Sequence, residues 1–526
     1  MTGSMDKRDE QLPSVDSSLP SQGGAGKAGE VEPTQTLTWT AEEERTLVRK
    51  LDWNVMPLLW ALFMLSFLDR SNIGNANTAG MSKDLGMSDD QYQWLLTIFY
   101  ISYSLGQPTM LLWKIIPPHM LVACLTFIWA ILQPTAHWGG LMALRFLLGL
   151  AETAFSPGVT FFLTFFYNRR EVGLRQGLYA GAASIASCYA GALAYGITQI
   201  KNSSIAVWKI LFLIEGAPAI LMVPVAYFFL ADRPSKARFL TEREKDIAVA
   251  RTARDGKTGR EEGLKMKGVW QGFGDPKAYL CALVYFSLNV SYSSLPVFLP
   301  TILADMGFSS LRAQGLSAPP YLAAFIVITS ACWASDRIGD RSIFMIPLAL
   351  IGMAGYLILA LAKATAVRYF AVYLCAVGIF PVIGLMLPFT ASMHEDDSKR
   401  GAGFLILNLI GQCGPFLGTR LYPKTESPYY VKGMAVSCAF MGFAAVLILI
   451  LRFLLVWENR RRDRLYGYFD PKVAYRAPLG SPAGNVEEGG SVLSATAPAK
   501  LAEQEGRQGQ GTEKEEGVNK EWRFLL

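Results

Sequence analysis

Long stretches without charged side chains are the feature that most constrains the fold of this chain. A helix of about 20 residues crosses the ~30 Å hydrocarbon core of a bilayer. Lipid offers no hydrogen-bond partners, so the backbone N–H and C=O groups of such a stretch must bond to one another, as they do in a helix. The pattern therefore predicts an all-α membrane protein with twelve transmembrane helices. The twelve stretches are residues 54–76, 92–113, 118–137, 141–167, 177–200, 208–230, 278–302, 317–335, 343–362, 369–392, 401–420 and 433–455.

Composition excludes the soluble classes of this size. Only 17% of the 526 residues are charged and 51% are hydrophobic, whereas soluble proteins average about 25% charged residues. The charges are concentrated in residues 1–50, 231–277 and 456–526. We expect neither a soluble enzyme nor a disordered chain nor a nucleic-acid-binding protein, and the lipid bilayer is an expected partner.

The spans fall into two sets of six on either side of a charged loop. The sets begin near residues 54 and 278, and Pro157 and Pro381 repeat the same offset of 224 residues. Two such halves are typical of transporters built by internal repetition. The predicted domains are a disordered tail with a short pre-membrane helix (1–50), a six-helix bundle (51–230), a central loop (231–277), a second six-helix bundle (278–456) and a mostly disordered tail (457–526).

Basic residues set the expected orientation. Eleven lie in residues 231–275, and further Arg and Lys residues flank the first and last spans. Loops rich in Lys and Arg stay in the cytoplasm, and an even number of spans places all three regions on one side. We expect both termini and the central loop in the cytoplasm, the plasma membrane as the location and a monomer as the assembly.

No cysteine or histidine pattern indicates a cofactor. The seven cysteines are widely separated within apolar stretches, and the three histidines are dispersed. Such a set forms neither a disulfide framework nor a metal site. We therefore expect no metal, no cofactor and no enzymatic activity.

Ionisable side chains inside the spans are the candidates for function. Each costs about 2.5–3.5 kcal/mol to insert, so it usually has a role and a partner. Arg145 and Glu152 lie two turns apart in the fourth span, on one helix face and about 10 Å apart. A guanidinium binds a carboxylate with two hydrogen bonds, and a buried carboxylate can carry a proton. The pair fits a proton-coupled carrier of a small organic anion; a structural ion pair between helices is the alternative.

Further polar residues extend the candidate site. Asp69, Arg70 and Asn72 lie near the outer end of the first span, so this face either anchors the helix at the membrane surface or, as we favour, lines a cavity. We interpret the aromatic run Phe161–Tyr167 as a lipid-facing surface. Polar residues of the second half that can bind a ligand, or can join helices, are Asn289, Tyr292, Asn408 and Gln412.

Two motifs resemble the major facilitator superfamily. The segment from Asp336 to Arg341 resembles the second copy of its D-R-x-G-x-R loop signature, and residues 145–149 resemble its fourth-helix motif. The resemblance implies a fold of two six-helix bundles and a gating loop that contains Asp336, Arg337 and Arg341. The antiporter motif of the fifth helix is missing from residues 177–200, which argues against a drug/proton antiporter.

A narrower set of motifs resembles the anion:cation symporter family in its fungal, allantoate permease-like branch. The resemblance implies that Arg70 and Arg145 bind the substrate anion and that Glu152 carries the coupled proton. We predict Asp69, next to Arg70, as a second proton-coupling residue. The motifs that carry the resemblance are residues 68–76, 145–159, 167–171, 213–218, 235–245 and 298–302.

We predict a proton-coupled secondary transporter of a small, carboxylate-type organic anion that works by alternating access. The second span departs from the branch, because Gly106–Met110 stands where branch members commonly carry an acidic residue. This departure leaves open an exporter of a secondary metabolite or toxin with the same fold. A non-transporting nutrient sensor is a remote alternative, since the tails are of low complexity.

Overall fold

The computed structural model of this chain describes residues 39–131, 137–200, 205–254, 266–393 and 397–466. These residues are all helical and contain no strand. Apart from their membrane-proximal ends, the predicted tails lie outside the described residues. In chain order, the helices are α1 (Ala41–Ser71), α2 (Ile73–Thr78), α3 (Met81–Asp84), α4 (Asp89–Leu105), α5 (Leu112–Ile115), α6 (Pro118–Ile131), α7 (Trp138–Phe166), α8 (Arg169–Ile197), α9 (Val207–Phe229), α10 (Glu242–Arg254), α11 (Met266–Phe273), α12 (Pro276–Asp305), α13 (Ser310–Ile338), α14 (Ser342–Leu361), α15 (Thr365–Ser392), α16 (Asp397–Gly411), α17 (Gly414–Gly418) and α18 (Val431–Tyr466).

Ten helices among the described residues are long and apolar enough to cross a membrane, with α1–α2 counted as one and α16–α17 as another. The second and third predicted spans correspond to shorter helices. Helix α4 has 17 residues and continues into a 3₁₀ turn, and α6 has 14 residues before a stretch outside the described part. The predicted all-α membrane fold is confirmed.

Helix α1 begins earlier than the first predicted span. The Thr40 hydroxyl accepts a hydrogen bond from the Glu43 amide at 3.2 Å, and the Glu43 carboxylate accepts one from the Thr40 amide at 2.9 Å. This reciprocal pair is a capping box, which fixes a helix start. The helix then runs without interruption to Ser71. The predicted pre-membrane helix is therefore the first part of α1, and the predicted domain boundary at residue 50 falls inside it.

The aromatic run at the end of α7 is buried, so its interpretation as a lipid-facing surface is wrong for most of its residues. Phe162, Phe166 and Tyr167 are at most 1% exposed. Phe162 packs against Trp113, with 5.3 Å between ring centroids. The segment that breaks the second span brings Trp113 against α7, and hydropathy alone does not reveal such a break.

Helix α10 of the central loop docks on the first half of the chain (residues 41–229). The Arg251 guanidinium, 1% exposed, donates to both carboxylate oxygens of Glu171 at 3.0 Å and to the Phe166 carbonyl at 3.1 Å. Lys50 of α1 pairs with Glu244 of α10 at 2.5 Å. We call this end of the bundle the tail side, and the opposite end, which carries α3 and the start of α18, the far side.

Glycines allow close helix packing in the second half (residues 276–466). A Cβ atom added at Gly378 of α15 would lie 2.3 Å from the Cα of Gly352 in α14. Membrane helices commonly approach this closely through small residues, because van der Waals contact replaces the hydrophobic driving force there.

Gly378→Val is therefore expected to destabilise the protein by about 1–3 kcal/mol, the usual cost of overpacking. The melting temperature of the purified protein in detergent, followed by size-exclusion chromatography after heating, measures the effect. Gly196→Val is the matched control, because an added Cβ at Gly196 meets no atom within 4 Å. Equal melting temperatures for the two variants would contradict the packing argument.

Candidate functional site

A cavity lies between the two six-helix halves. The space free of atoms amounts to about 840 Å³, including the part open to solvent. Five of the seven predicted ligand residues line it, whereas Arg145 and Asn72 do not. The lining residues discussed below are Phe63, Phe67, Arg70, Tyr100, Tyr103 and Tyr179 from the first half, and Tyr285, Asn289, Tyr292, Asn408 and Gln412 from the second.

Arg70 lines the cavity and forms a buried ion pair with Glu152, which does not itself line the cavity. The Arg70 guanidinium of α1 donates to one carboxylate oxygen of Glu152 in α7, from Nη2 at 2.8 Å and from Nε at 3.3 Å. The Glu152 side chain is fully buried and that of Arg70 is 10% exposed. The second carboxylate oxygen of Glu152 has no hydrogen-bond partner among the described residues. The cavity therefore presents a cation whose partner is a carboxylate with unused hydrogen-bonding capacity.

Aromatic rings hold the Arg70 guanidinium in place. Its central carbon lies 4.7 Å from the ring centre of Tyr103 and 5.1 Å from that of Phe99. A cation is attracted to the face of an aromatic ring, more strongly where water is excluded. The rings thus fix the position of the charge without neutralising it.

The sequence interpretation missed the aromatic lining. Phe63 and Phe67 precede Arg70 by seven and three residues in α1, so the three side chains share one helix face. This spacing is the signal that could have identified them. Aromatic residues on lipid-facing surfaces obscure such a signal in a single membrane sequence.

The remaining predicted residues of the first half form a second polar cluster beside the cavity. Arg145 of α7 is 5% exposed and donates to the backbone carbonyl of Asp69 at 3.3 Å. Asn72, at the junction of α1 and α2, donates to the carboxylate of Glu215 in α9. The structure thus brings Arg145, Asp69 and Asn72 close to the Arg70–Glu152 pair but not into the cavity wall.

The second half contributes neutral polar groups. Asn289 donates to the Gly411 carbonyl at 3.2 Å, and Asn408 donates to the Phe404 carbonyl at 2.9 Å. Tyr292 packs against Phe67 of the first half, with 5.6 Å between ring centroids. These amides retain acceptor oxygens that can meet a polar group of a ligand.

Two broken helices meet at the cavity. Helix α4 ends at Leu105, where the sequence departs from the branch pattern, and α16 ends at Gly411. The Ser104 hydroxyl donates to the Gln412 carbonyl at 3.1 Å. This bond satisfies one of the carbonyl groups that the end of α16 leaves without an intrahelical partner.

The predicted gating loop lies at the tail side, where the two halves touch. Arg341 pairs with Asp336 at 3.2 Å and donates to the Pro388 carbonyl at 2.7 Å. Arg337 instead stacks on Trp333 at 4.1 Å. A Cβ atom added at Gly173 of α8 would lie 2.5 Å from the Asp336 carboxylate, so the loop packs directly against the first half.

Ion pairs and amides join the halves at the far side. Arg420 pairs with Asp90 at 2.9 Å and Lys424 pairs with Asp89 at 2.7 Å. These pairs are exposed and each contributes little, about 0–1 kcal/mol. Gln314 of α13 is fully buried and donates to the Thr78 hydroxyl of the first half at 3.2 Å. The described far side is therefore closed mainly by buried contacts.

Comparison with known proteins identifies relatives over most of the chain. Residues 59–419 match the family model described as Major Facilitator Superfamily. The MFS-type transporter efuF of Hormonema carpetanum is 32% identical over 429 residues, which are 80% of this chain and 87% of that protein. The high-affinity nicotinic acid transporter of Saccharomyces cerevisiae is 32% identical over 428 residues, which are 80% of each protein.

A solved structure shows the same fold. The proton:xylose symporter XylE bound to 6-bromo-6-deoxy-D-glucose superposes with a TM-score of 0.61 at 14% sequence identity. The match covers 76% of this chain and 96% of that chain. At this identity the likeness concerns the architecture of two helical bundles around a central cavity.

Proposed function

The chain belongs to the Major Facilitator Superfamily, whose relatives described above are transporters and not enzymes, and on this premise we propose that it is a proton-coupled transporter of a small organic anion. The observation that carries the proposal is that Arg70, which lines a cavity between the two halves, forms an ion pair with the fully buried Glu152. In this proposal the substrate carries a carboxylate, and the protein alternates between states in which the cavity opens to one side or the other.

The pair supplies a mechanism of coupling. A substrate carboxylate that enters the cavity takes the hydrogen bonds of Arg70 and displaces Glu152 from it. Glu152 is fully buried, and a buried carboxylate without a cation is strongly unfavourable. It therefore takes up a proton when the substrate binds and returns it when the substrate leaves. Proton and anion cross together, and Arg70 is never left without a negative partner.

The lining of the cavity favours a ring-bearing monocarboxylate. Arg70 is the only cationic side chain among the described lining residues, so a single carboxylate can be matched. Tyr100, Tyr103, Tyr179 and Tyr285 offer apolar faces, and the amides of the second half can meet a ring nitrogen or carbonyl. The relative of Saccharomyces cerevisiae is named for nicotinic acid, a compound of this kind. We further propose that the chain belongs to the anion:cation symporter branch, on the sequence motifs given above, and that it lies in the plasma membrane.

An uptake screen tests the proposal directly. Cells that lack their own carriers express the protein and receive radiolabelled nicotinate, pantothenate and a ureido acid at an acidic and a neutral pH. We expect uptake of at least one carboxylate, faster at acidic pH, and no uptake of the uncharged amide of the same compound. Equal uptake of acid and amide would contradict anion transport, and equal rates at both pH values would contradict proton coupling.

Export of a metabolite is the second candidate. The observation in its favour is the break after Leu105, where the acidic pattern of the branch is absent and a 3₁₀ turn replaces the helix. Inside-out and right-side-out vesicles with an imposed proton gradient distinguish the two. Accumulation by inside-out vesicles that are acidic inside would favour export over import.

A further inference from the structure

A second buried carboxylate, Glu215, lies outside the cavity and has no part in the mechanism described above. Its side chain, in the middle of α9, is 2% exposed. One carboxylate oxygen accepts a hydrogen bond from the Asn72 amide, and the other has no hydrogen-bond partner among the described residues. No Lys, Arg or His forms an ion pair with Glu215 in the described part of the chain. A carboxylate in such a site is costly as an anion and much less so as a neutral acid.

The charged groups around Glu215 come from two helices. Asp69 of α1 repels an ionised Glu215, and Arg145 of α7 attracts it from beyond salt-bridge distance. Helices α2, α6 and α8 also pack against α9. Helix α2 has no charged residue, and His119 of α6 pairs with Asp232 at the tail side. Glu171 and Arg175 of α8 form ion pairs with Arg251 and Asp52, also at the tail side. The surroundings therefore do not supply a dedicated cation.

Hydrogen bonds connect Glu215 to the closed far side. Asn72 accepts from the Asn75 amide at 3.2 Å. Gln314 of the second half donates to the Asn75 carbonyl at 3.5 Å and to the Thr78 hydroxyl at 3.2 Å. The chain of contacts thus runs from α9 through α2 to α13, across the boundary between the halves.

Helix α2 is the element that this series of hydrogen bonds holds in place. It follows a distortion at Asn72, where α1 ends, and it packs against α12 of the second half. A Cβ atom at Gly74 would lie 2.1 Å from the Val297 carbonyl oxygen, so the contact leaves no room for water. Separating the halves at the far side would take α12 and Gln314 of α13 away from α2, the helix that follows Asn72, the donor to Glu215.

We propose that Glu215 binds a proton of its own and that this proton holds the far side closed. A neutral Glu215 keeps the bond from Asn72 and tolerates the dry site. Loss of the proton creates a buried anion, which is stabilised when α2 moves away and water enters. The site is separate from the Arg70–Glu152 pair, and its ligand is a proton taken up from the far side. The inference rests on the proposed function in that it assumes proton coupling, but its test requires no substrate.

Hydrogen exchange of the unlabelled full-length protein tests this proposal. Amide exchange in the segment 72–80 is measured by mass spectrometry over a series of pH values. Each rate is corrected for the intrinsic rate of exchange of an unprotected amide at that pH. If opening of the far side releases one proton, the equilibrium constant for opening rises by up to about tenfold per pH unit. We expect this slope in the wild-type protein and its loss in Glu215→Gln, which stays neutral, accepts from Asn72 and remains protected at every pH. The segment 348–359 of α14, which packs against α15 and α18 within the second half, is the internal reference.

Two more variants test the link to the second half and exclude the other buried carboxylate. Gln314→Ala cuts the link to the second half, so segment 72–80 should exchange fast at every pH while the melting temperature shows a folded protein. Glu152→Gln should keep the wild-type slope. A flat wild-type profile, or an unchanged slope in Glu215→Gln, overturns the proposal. If Glu152→Gln alone removes the slope, Glu215 is not the switch, although the proposed function stands.

Discussion

Arg70→Ala should abolish transport while the protein still reaches the membrane. The substitution removes the cation that meets the substrate and leaves Glu152, fully buried, without its partner. Breaking a buried pair in this way costs about 3–5 kcal/mol of stability, the equivalent of roughly 150- to 4,000-fold in an equilibrium constant. Initial uptake rates normalised to surface protein measure the effect.

Three arginine variants show whether the loss is specific. Arg70→Lys keeps the charge but not the fork of donors, so partial activity is expected. Arg420→Ala removes a partly exposed arginine whose ion pair at the far side contributes little, and it should leave uptake nearly unchanged. Arg145→Ala should also abolish uptake if Arg145 binds the anion as the sequence predicts. Wild-type uptake by Arg70→Ala would exclude the proposed binding site.

Glu152→Gln should separate exchange from accumulation. A glutamine still accepts a hydrogen bond from Arg70 but carries no negative charge and binds no proton. Arg70 then binds the substrate anion without competition, so exchange of labelled for unlabelled substrate persists. Accumulation driven by a proton gradient is lost, because the proton no longer travels with the anion.

Liposomes containing the purified variant allow both measurements. Counterflow, in which unlabelled substrate inside draws in labelled substrate, should be at least as fast as in the wild-type protein. Uptake driven by an acidic exterior should fall to background, with no dependence on pH. Glu458→Gln, in the cytoplasm-proximal part of α18 by the predicted topology, is the control for removal of a carboxylate. A wild-type pH profile in Glu152→Gln would rule out its coupling role.

Much of the architecture could be predicted from hydropathy because the bilayer imposes length and helicity on each span. The positions at which helices break could not be predicted in this way. Asn72, Gly106 and Gln412 interrupt or end helices inside stretches whose average hydropathy is that of one continuous span. The free carbonyl group of Gln412 accepts a hydrogen bond from the Ser104 hydroxyl of another helix. Hydropathy averages over about one span and does not register a bond to another helix.

The site was predictable in part. The spacing of Arg145 and Glu152 identified α7, and the resemblance to a family of anion carriers added Arg70. Their pairing could not be predicted, because the rotation of α1 relative to α7 decides which arginine reaches the carboxylate. Glu152 meets Arg70 of the neighbouring helix, while Arg145 of its own helix bonds to a backbone carbonyl. Whether both arginines bind the anion stays a prediction.

The uneven contribution of the halves to the cavity has an evolutionary consequence. The ion pair and its aromatic frame come from the first half, whereas the second half supplies uncharged side chains such as Asn289 and Asn408. In the proposed mechanism, mutations in the second half would change the preference for one substrate over another and leave the proton-coupling pair intact. Libraries of variants designed to change the substrate are best confined to α12 and α16. Sequence differences among paralogues with different substrates should accumulate there first.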